Sequence, residues 1–278
     1  MNRLLLLLSL ALLSSSARAH HGQDFFVTLD TRVPELGHGS VFISGSWAKN
    51  SGADETEIDP GFLMGLGGGF AAGSTFQLSN GTPGDFGYAG VTPLLQWSRA
   101  VPGTDFRVGA SAAYHFADSS HSSSHSSVHY HVIPGGSGGP GTNPDAPPPG
   151  TIGQHIHGGG GHSHDGIHRH GEDHFQTRLI GEWQASGRTR VLANFLMVGG
   201  GSDDIDFGYA LAVRQDLTAR LAAGLEVIGD LVSHGLHEAI AGLFYSPTHD
   251  VSLRLGAGTG FGPGSTDISI HGGMTWRF

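Results

Sequence analysis

The residues that could do chemistry are concentrated in one stretch. Twelve of the 19 histidines lie between His115 and His174, and HIHGGGGHSHDGIHRHGEDH, His155 to His174, holds seven of them. Four pairs are His-x-His: His129/His131, His155/His157, His162/His164 and His168/His170. In an extended chain, residues two apart point to the same side, so both imidazoles of a pair can reach one ion. His121, His125 and His129 are spaced by four, which would align them on a helical turn, although the serines between them make that turn weak. Neutral imidazole suits Zn, Cu and Ni. The chain has no cysteine, so only nitrogen and carboxylate ligands are on offer, and Asp165, Glu172 and Asp173 stand nearby. The expected metal set is therefore His121, His125, His129, His131, His155, His157, His162, His164, His168, His170 and His174 with Asp165. A flexible tract of this kind takes several ions at modest affinity, because ordering it costs entropy. It releases them near or below about pH 6, as the imidazoles protonate. No resident cofactor is expected; Zn, Cu or Ni would be bound ions. The competing reading is a hydrophilic loop in which histidine accumulated without a role.

A second histidine feature depends on processing. MNRLLLLLSLALLSSSARA combines a charged start, a short leucine-rich run and an Ala17-Arg18-Ala19 cleavage pattern, as in a secretory signal peptide. The apolar run is too short to span a bilayer, which takes about 20 residues. Cleavage after Ala19 exposes His20 and His21, and an N-terminal histidine can chelate copper through its amine and imidazole. The expected organisation is a signal peptide over 1–19, a periplasmic or plug segment over 20–38, and one domain over 39–278.

Composition narrows the class. Without cysteine there is no disulfide framework and no thiolate chemistry. The formal net charge of −10 argues against nucleic acid as a partner. With 38% hydrophobic residues scattered among 47 glycines, no window after the signal peptide is apolar enough for a transmembrane helix.

Period-two alternation is the dominant pattern. In DISIHGGMTWRF, Ile268, Ile270, Gly272, Met274, Trp276 and Phe278 share one face, and Asp267, Ser269, His271, Gly273, Thr275 and Arg277 the other. VSLRLGAGTGF, LAAGLEVIGDL, IDFGYALAVRQ and FRVGASAAYHF repeat it at about ten residues each, the length of a tilted transmembrane strand. Twelve segments are expected: 39–49, 56–67, 70–79, 86–98, 104–116, 174–185, 189–199, 204–215, 218–230, 236–246, 249–260 and 266–278. DFFVTLDTRV, 24–33, also alternates; a thirteenth strand would break the even count of single-chain barrels, which favours a periplasmic or plug segment. The fold class is all-β, a transmembrane antiparallel up-and-down barrel. In hydrocarbon every backbone polar group needs an internal partner, and only a closed sheet leaves no edge. A soluble β-sandwich is the alternative.

The alternating segment that ends on Phe278 resembles the C-terminal strand of Gram-negative outer-membrane β-barrels. That resemblance implies the cell outer membrane as location, outer-membrane lipid as surroundings and the barrel assembly machinery as a partner during biogenesis. In layout the chain also resembles small outer-membrane transporter barrels of about 12 strands. No motif backs the second likeness, and it does not cover the His-rich region.

Connection lengths agree with this topology. With both termini periplasmic, the outward links are 50–55, 80–85, 117–173, 200–203, 231–235 and 261–265, and the inward links 68–69, 99–103, 186–188, 216–217 and 247–248. The inward set is uniformly short, and the outward set holds the one very long link. That link, 117–173, is low-complexity, is expected to be largely disordered, and carries the histidines on the extracellular side. Trp47, Tyr88, Trp97, Tyr114, Trp183, Tyr245 and Trp276 sit near segment ends, where an aromatic girdle belongs. The expected lumen residues are Glu57, Asp59, Arg107, His115, Arg178, Glu182, Asp206, Arg214, Glu226, Asp230, Arg254 and His271, either as a pore lining or as structural ion pairs.

Enzymatic readings are poor. No G-x-S-x-G elbow and no metalloprotease helix signature occurs, so no catalytic residue and no enzyme is expected. Three functions stay open. The first is an outer-membrane channel or transporter, with the His-rich loop concentrating Zn, Cu or Ni. The second is a non-conducting, metal-binding surface barrel or sensor. The third is a small-solute porin whose loop is incidental.

Overall fold

The computed structural model describes residues 24–49, 54–80, 86–118, 128–132, 152–156, 173–200, 202–231, 237–261 and 266–278. Twelve strands close into an antiparallel barrel: β1 (Gly39–Lys49), β2 (Asp54–Gly67), β3 (Phe70–Ser79), β4 (Gly87–Ala100), β5 (Phe106–Ala117), β8 (His174–Ser186), β9 (Thr189–Gly200), β10 (Ser202–Asp216), β11 (Leu221–Asp230), β12 (His237–Tyr245), β13 (Val251–Gly260) and β14 (Ile268–Arg277). Each strand pairs with its barrel neighbours in sequence. The ring closes where β1 pairs with β14, from Ser40 opposite Arg277 to Lys49 opposite Ile268. Gly39 and Phe278 exchange backbone hydrogen bonds of 2.9 and 3.0 Å, so both ends of the barrel sit at one rim.

The pleat puts large apolar side chains outside. Leu179, Leu211, Leu225, Leu243 and Leu255 are exposed at mid-strand along the half of the ring from β8 to β13. Near the rim that carries the short turns, aromatic rings pair on the outer face. Phe106 stacks on Trp183 with centroids 5.8 Å apart, and Trp276 meets Phe278 at 5.9 Å. Such a belt with rings at its edge is the surface a bilayer requires of a barrel.

The expected segments and the observed strands differ mainly at their ends. The ninth barrel segment, β11, starts at Leu221 rather than 218 because 217–220 form a turn. Leu217 N donates to Leu221 O at 2.9 Å, and Thr218 Oγ1 accepts from Leu221 N at 3.0 Å. β5 starts at Phe106 rather than 104, since the Thr104 hydroxyl accepts the Phe106 N–H at 3.2 Å. The tight β2–β3 turn needs glycine: Gly67, Gly68 and Gly69 have φ of 84°, 63° and 83°, a region costly for any residue with a Cβ.

Residues 117–173 are not wholly loop. β6 (Val128–Val132) and β7 (Ile152–Ile156) pair as a two-stranded antiparallel ribbon, with His129 opposite His155 and His131 opposite Gly153. The alternation Val128, Tyr130, Val132 carries the strand signal inside a Ser- and Gly-rich setting.

Residues 24–36 form no strand. Residues 24–34 lie inside the ring, and the exposed Leu36 joins the wall through a parallel bridge to Gly65. Gly65 is needed for that approach: a Cβ there would lie 2.0 Å from Glu35 O and 2.3 Å from Pro34 O.

Candidate functional site

The site is the lumen, and its occupant is the chain's own segment 24–33. Three apolar clusters seat it. Phe25 and Phe26 pack with Leu192, Ala212, Ala222 and Phe244; Val27 with Leu196, Val198, Ala210 and Ile228; Val33 with Phe42, Leu63 and Ala71. Phe25 meets the Phe244 ring edge-on at 5.9 Å.

Wall side chains satisfy the segment's backbone. The Glu226 carboxylate, 1% exposed, accepts the N–H groups of Phe26, Val27 and Thr28 at 2.7, 3.0 and 2.9 Å. Asn194 accepts from Leu29 N at 2.8 Å and donates to Leu29 O at 2.9 Å. Gln96 donates to Asp30 O at 2.7 Å, and Arg178 to Val27 O at 2.8 Å. Glu182 accepts from the Thr31 hydroxyl at 2.7 Å, and Arg107 donates to that hydroxyl at 3.1 Å. A segment outside any sheet is thereby bonded, which is what allows it to be buried.

Asp24 is the electrostatic anchor. It lies 2.6 Å from Arg277, 3.4 Å from Arg190 and 3.7 Å from Arg214. Burial would raise its carboxyl, but the Arg214, Arg277 and Arg190 guanidiniums together hold it well below the usual carboxylate range. Asp30 goes the other way. Burial, with the Asp24 and Glu182 carboxylates nearby, pushes it up to about 8.

Between the segment and the rim of the longer links lies a cavity of about 420 Å³. Glu55, Glu57, Asp59 and Glu238 give it an acidic side, and His115, His174 and His271 line it as well. His115 stacks on His174 with centroids 4.9 Å apart, and its Nδ1 is 2.9 Å from Thr92 Oγ1. His271 Nε2 lies 3.1 Å from Glu238 and 2.9 Å from Ser269.

The lumen candidates thus divide. Glu57, Asp59, His115 and His271 line the cavity; Arg178 and Arg254 line it beside the segment. Asp206 and Asp230 take inner-face positions on β10 and β11 towards the same rim, with Asp230 buried. Arg107, Glu182 and Glu226 bond the segment and Arg214 pairs with Asp24, so these four hold a filler rather than line an open pore.

Of the metal candidates, His174 starts β8 against His115, and the ribbon holds His129, His131 and His155. His20, His21, His121, His125, His157, His162, His164, Asp165, His168 and His170 lie outside the described residues. Among the described residues no group of three His, Cys, Asp or Glu side chains is placed to hold a metal ion. The Asp173 carboxylate accepts the Ala117 N–H at 2.9 Å, closing the base of the long link.

Sequence reasoning missed Asp24, Asp30, Gln96, Arg190, Asn194 and Arg277. A signal was present in β9. Leu192, Leu196 and Val198 share the parity of Arg190 and Asn194, while Val191, Phe195 and Met197 occupy the other face. A strand apolar on both faces is covered on both faces, so something had to fill the lumen beside it.

No protein-family model and no curated protein matches the chain. Solved structures do. A KdgM porin aligns with a TM-score of 0.54 at 7% identity, over 86% of this chain and 99% of its own. An outer membrane channel from Pseudomonas putida F1 aligns at 0.52 and 9% identity, over 90% and 99%. A NanC porin aligns at 0.50 and 11% identity, over 85% and 98%. At these identities the likeness is one of architecture, and the chain has the closed twelve-strand fold of outer-membrane barrel porins.

Proposed function

We propose that this protein is an outer-membrane channel for small hydrophilic solutes, closed at rest by residues 24–33. In this reading the chain ends and short turns face the periplasm and the His-rich link faces outward. The observation that carries it is a closed ring with an apolar belt outside and charged groups inside, around a cavity of about 420 Å³. Only a lipid surround makes such an outside favourable. The architectural likeness to porins adds support.

The finer reading adds metal. The four His-x-His pairs would collect Zn, Cu or Ni beside the mouth. Its support is ligand type and spacing. Calorimetry with each ion, comparing the full chain with a variant lacking 121–170, tests it: loss of most binding sites is expected, and equal binding by both proteins would sink it. A second reading is favoured by the filled lumen, namely a non-conducting metal-binding surface barrel. Single-channel recording decides between the two. Brief openings of the full-length protein, and long ones once 24–33 is deleted, are expected of a channel. Silence from both folded proteins means that the barrel is an anchor.

A further inference from the structure

Five wall arginines face the half of the lumen next to the short turns, Arg107, Arg190, Arg214, Arg254 and Arg277, and Arg178 borders the cavity beside them. Against them the wall sets two buried carboxylates, Glu182 and Glu226, with Asp216 at the exposed edge 3.7 Å from Arg214. Buried guanidiniums left without counter-charge are costly. The occupant meets them with the carboxylate of Asp24, while its Asp30 lies 3.9 Å from Arg190 and its own Arg32 lies 3.8 Å from Glu182. Asp24 takes Arg277, Arg190 and Arg214, and the Val27 carbonyl takes Arg178. Besides these ion pairs, the Thr31 hydroxyl and the apolar side chains of Phe25, Phe26, Val27 and Val33, the contacts from Glu226, Asn194 and Gln96 address backbone groups that any peptide carries.

We propose that this half of the lumen is a carboxylate-binding tube, that segment 24–33 is its tethered occupant, and that a solute bearing carboxylates replaces it when the segment swings out. This rests on the channel reading. It assigns the inner half a selectivity opposite to the acidic cavity above it, so that a cation gathered at the mouth meets a basic constriction.

The test is a planar-bilayer recording of a variant lacking 24–33, its folding checked by the heat-dependent gel mobility of intact barrels. In a KCl gradient the reversal potential is expected to move towards that of chloride, with chloride passing about tenfold more readily than potassium. A synthetic peptide of residues 23–33, added on the short-turn side, should close the channel. The same peptide carrying Asp24→Asn should need at least about tenfold more to do so. Potassium selectivity, absence of selectivity, or equal block by both peptides overturns the inference and leaves the channel reading standing. A folded but silent variant overturns both. If the deletion does not fold, Asp24→Asn in the full chain decides: a raised open fraction with chloride selectivity supports the proposal, and an open fraction equal to wild type overturns it.

Discussion

Glu226→Ala isolates the contact that holds the segment in place. One carboxylate accepts three consecutive N–H groups, and alanine leaves all three without that acceptor. A buried donor left unsatisfied costs about 1–3 kcal/mol. Here the low end applies, because Phe26, Val27 and Thr28 border the cavity and water can enter as the side chain is removed. The sum is about 3 kcal/mol, or about a hundredfold in the ratio of docked to undocked segment. The assay is amide hydrogen exchange of the refolded barrel in detergent. Residues 26–28 are expected to exchange about a hundredfold faster than in wild type, while amides in β9 and β14 keep their protection. Glu226→Gln, which retains one acceptor oxygen, should fall between. Unchanged protection at 26–28 would refute the reasoning, and so would loss of protection spread evenly over the barrel strands, since the carboxylate would then be supporting the wall.

Two further outcomes follow from the same geometry. Asp30, raised to about 8, contributes stability below the free-carboxyl value near about 4, and that contribution is lost as pH rises through about 8. Asp24, held low by its arginines, contributes stability above about 4 that disappears only in stronger acid, so it does not titrate in this window. Exchange protection of 24–33 should therefore decline from mildly acid pH towards about 8, and Asp30→Asn should flatten the profile; a wild-type profile that is flat or rising contradicts this. On the outer face, Leu211 is 48% exposed at mid-strand, and Leu211→Arg should cost about 2 kcal/mol or more in urea titrations of folding into vesicles. No loss there would mean that this face does not meet lipid.

The barrel was legible because its signal is local and repeated. Ten residues of alternation, as in Ile268 to Arg277, name a strand and its faces together, and all seven aromatics near segment ends fall within barrel strands, Tyr245 as the last residue of β12. Turn chemistry at Thr104 and Thr218 shifted strand starts by a few residues because side-chain capping competes with pairing. The docking of 24–33 was not legible. Its bonds join residues 66–253 apart in sequence, and no period links Glu226 to Phe26. What the pattern held was a mismatch, the second apolar face of β9, whose meaning depends on knowing that the ring closes with a filler inside.

The path of that filler also bears on shape. In the ring order, β9 lies six strands from β1 in either direction, so the two face each other across the barrel. The segment is continuous with β1 through Gly39 and clasps Asn194 on β9 at both the N–H and the C=O of Leu29. It therefore works as a spoke along a diameter. A hollow hoop of twelve strands deforms most easily by becoming oval, and a spoke fixed at both ends resists that in compression and in tension. Withdrawing it would soften the whole hoop as well as clear the bore.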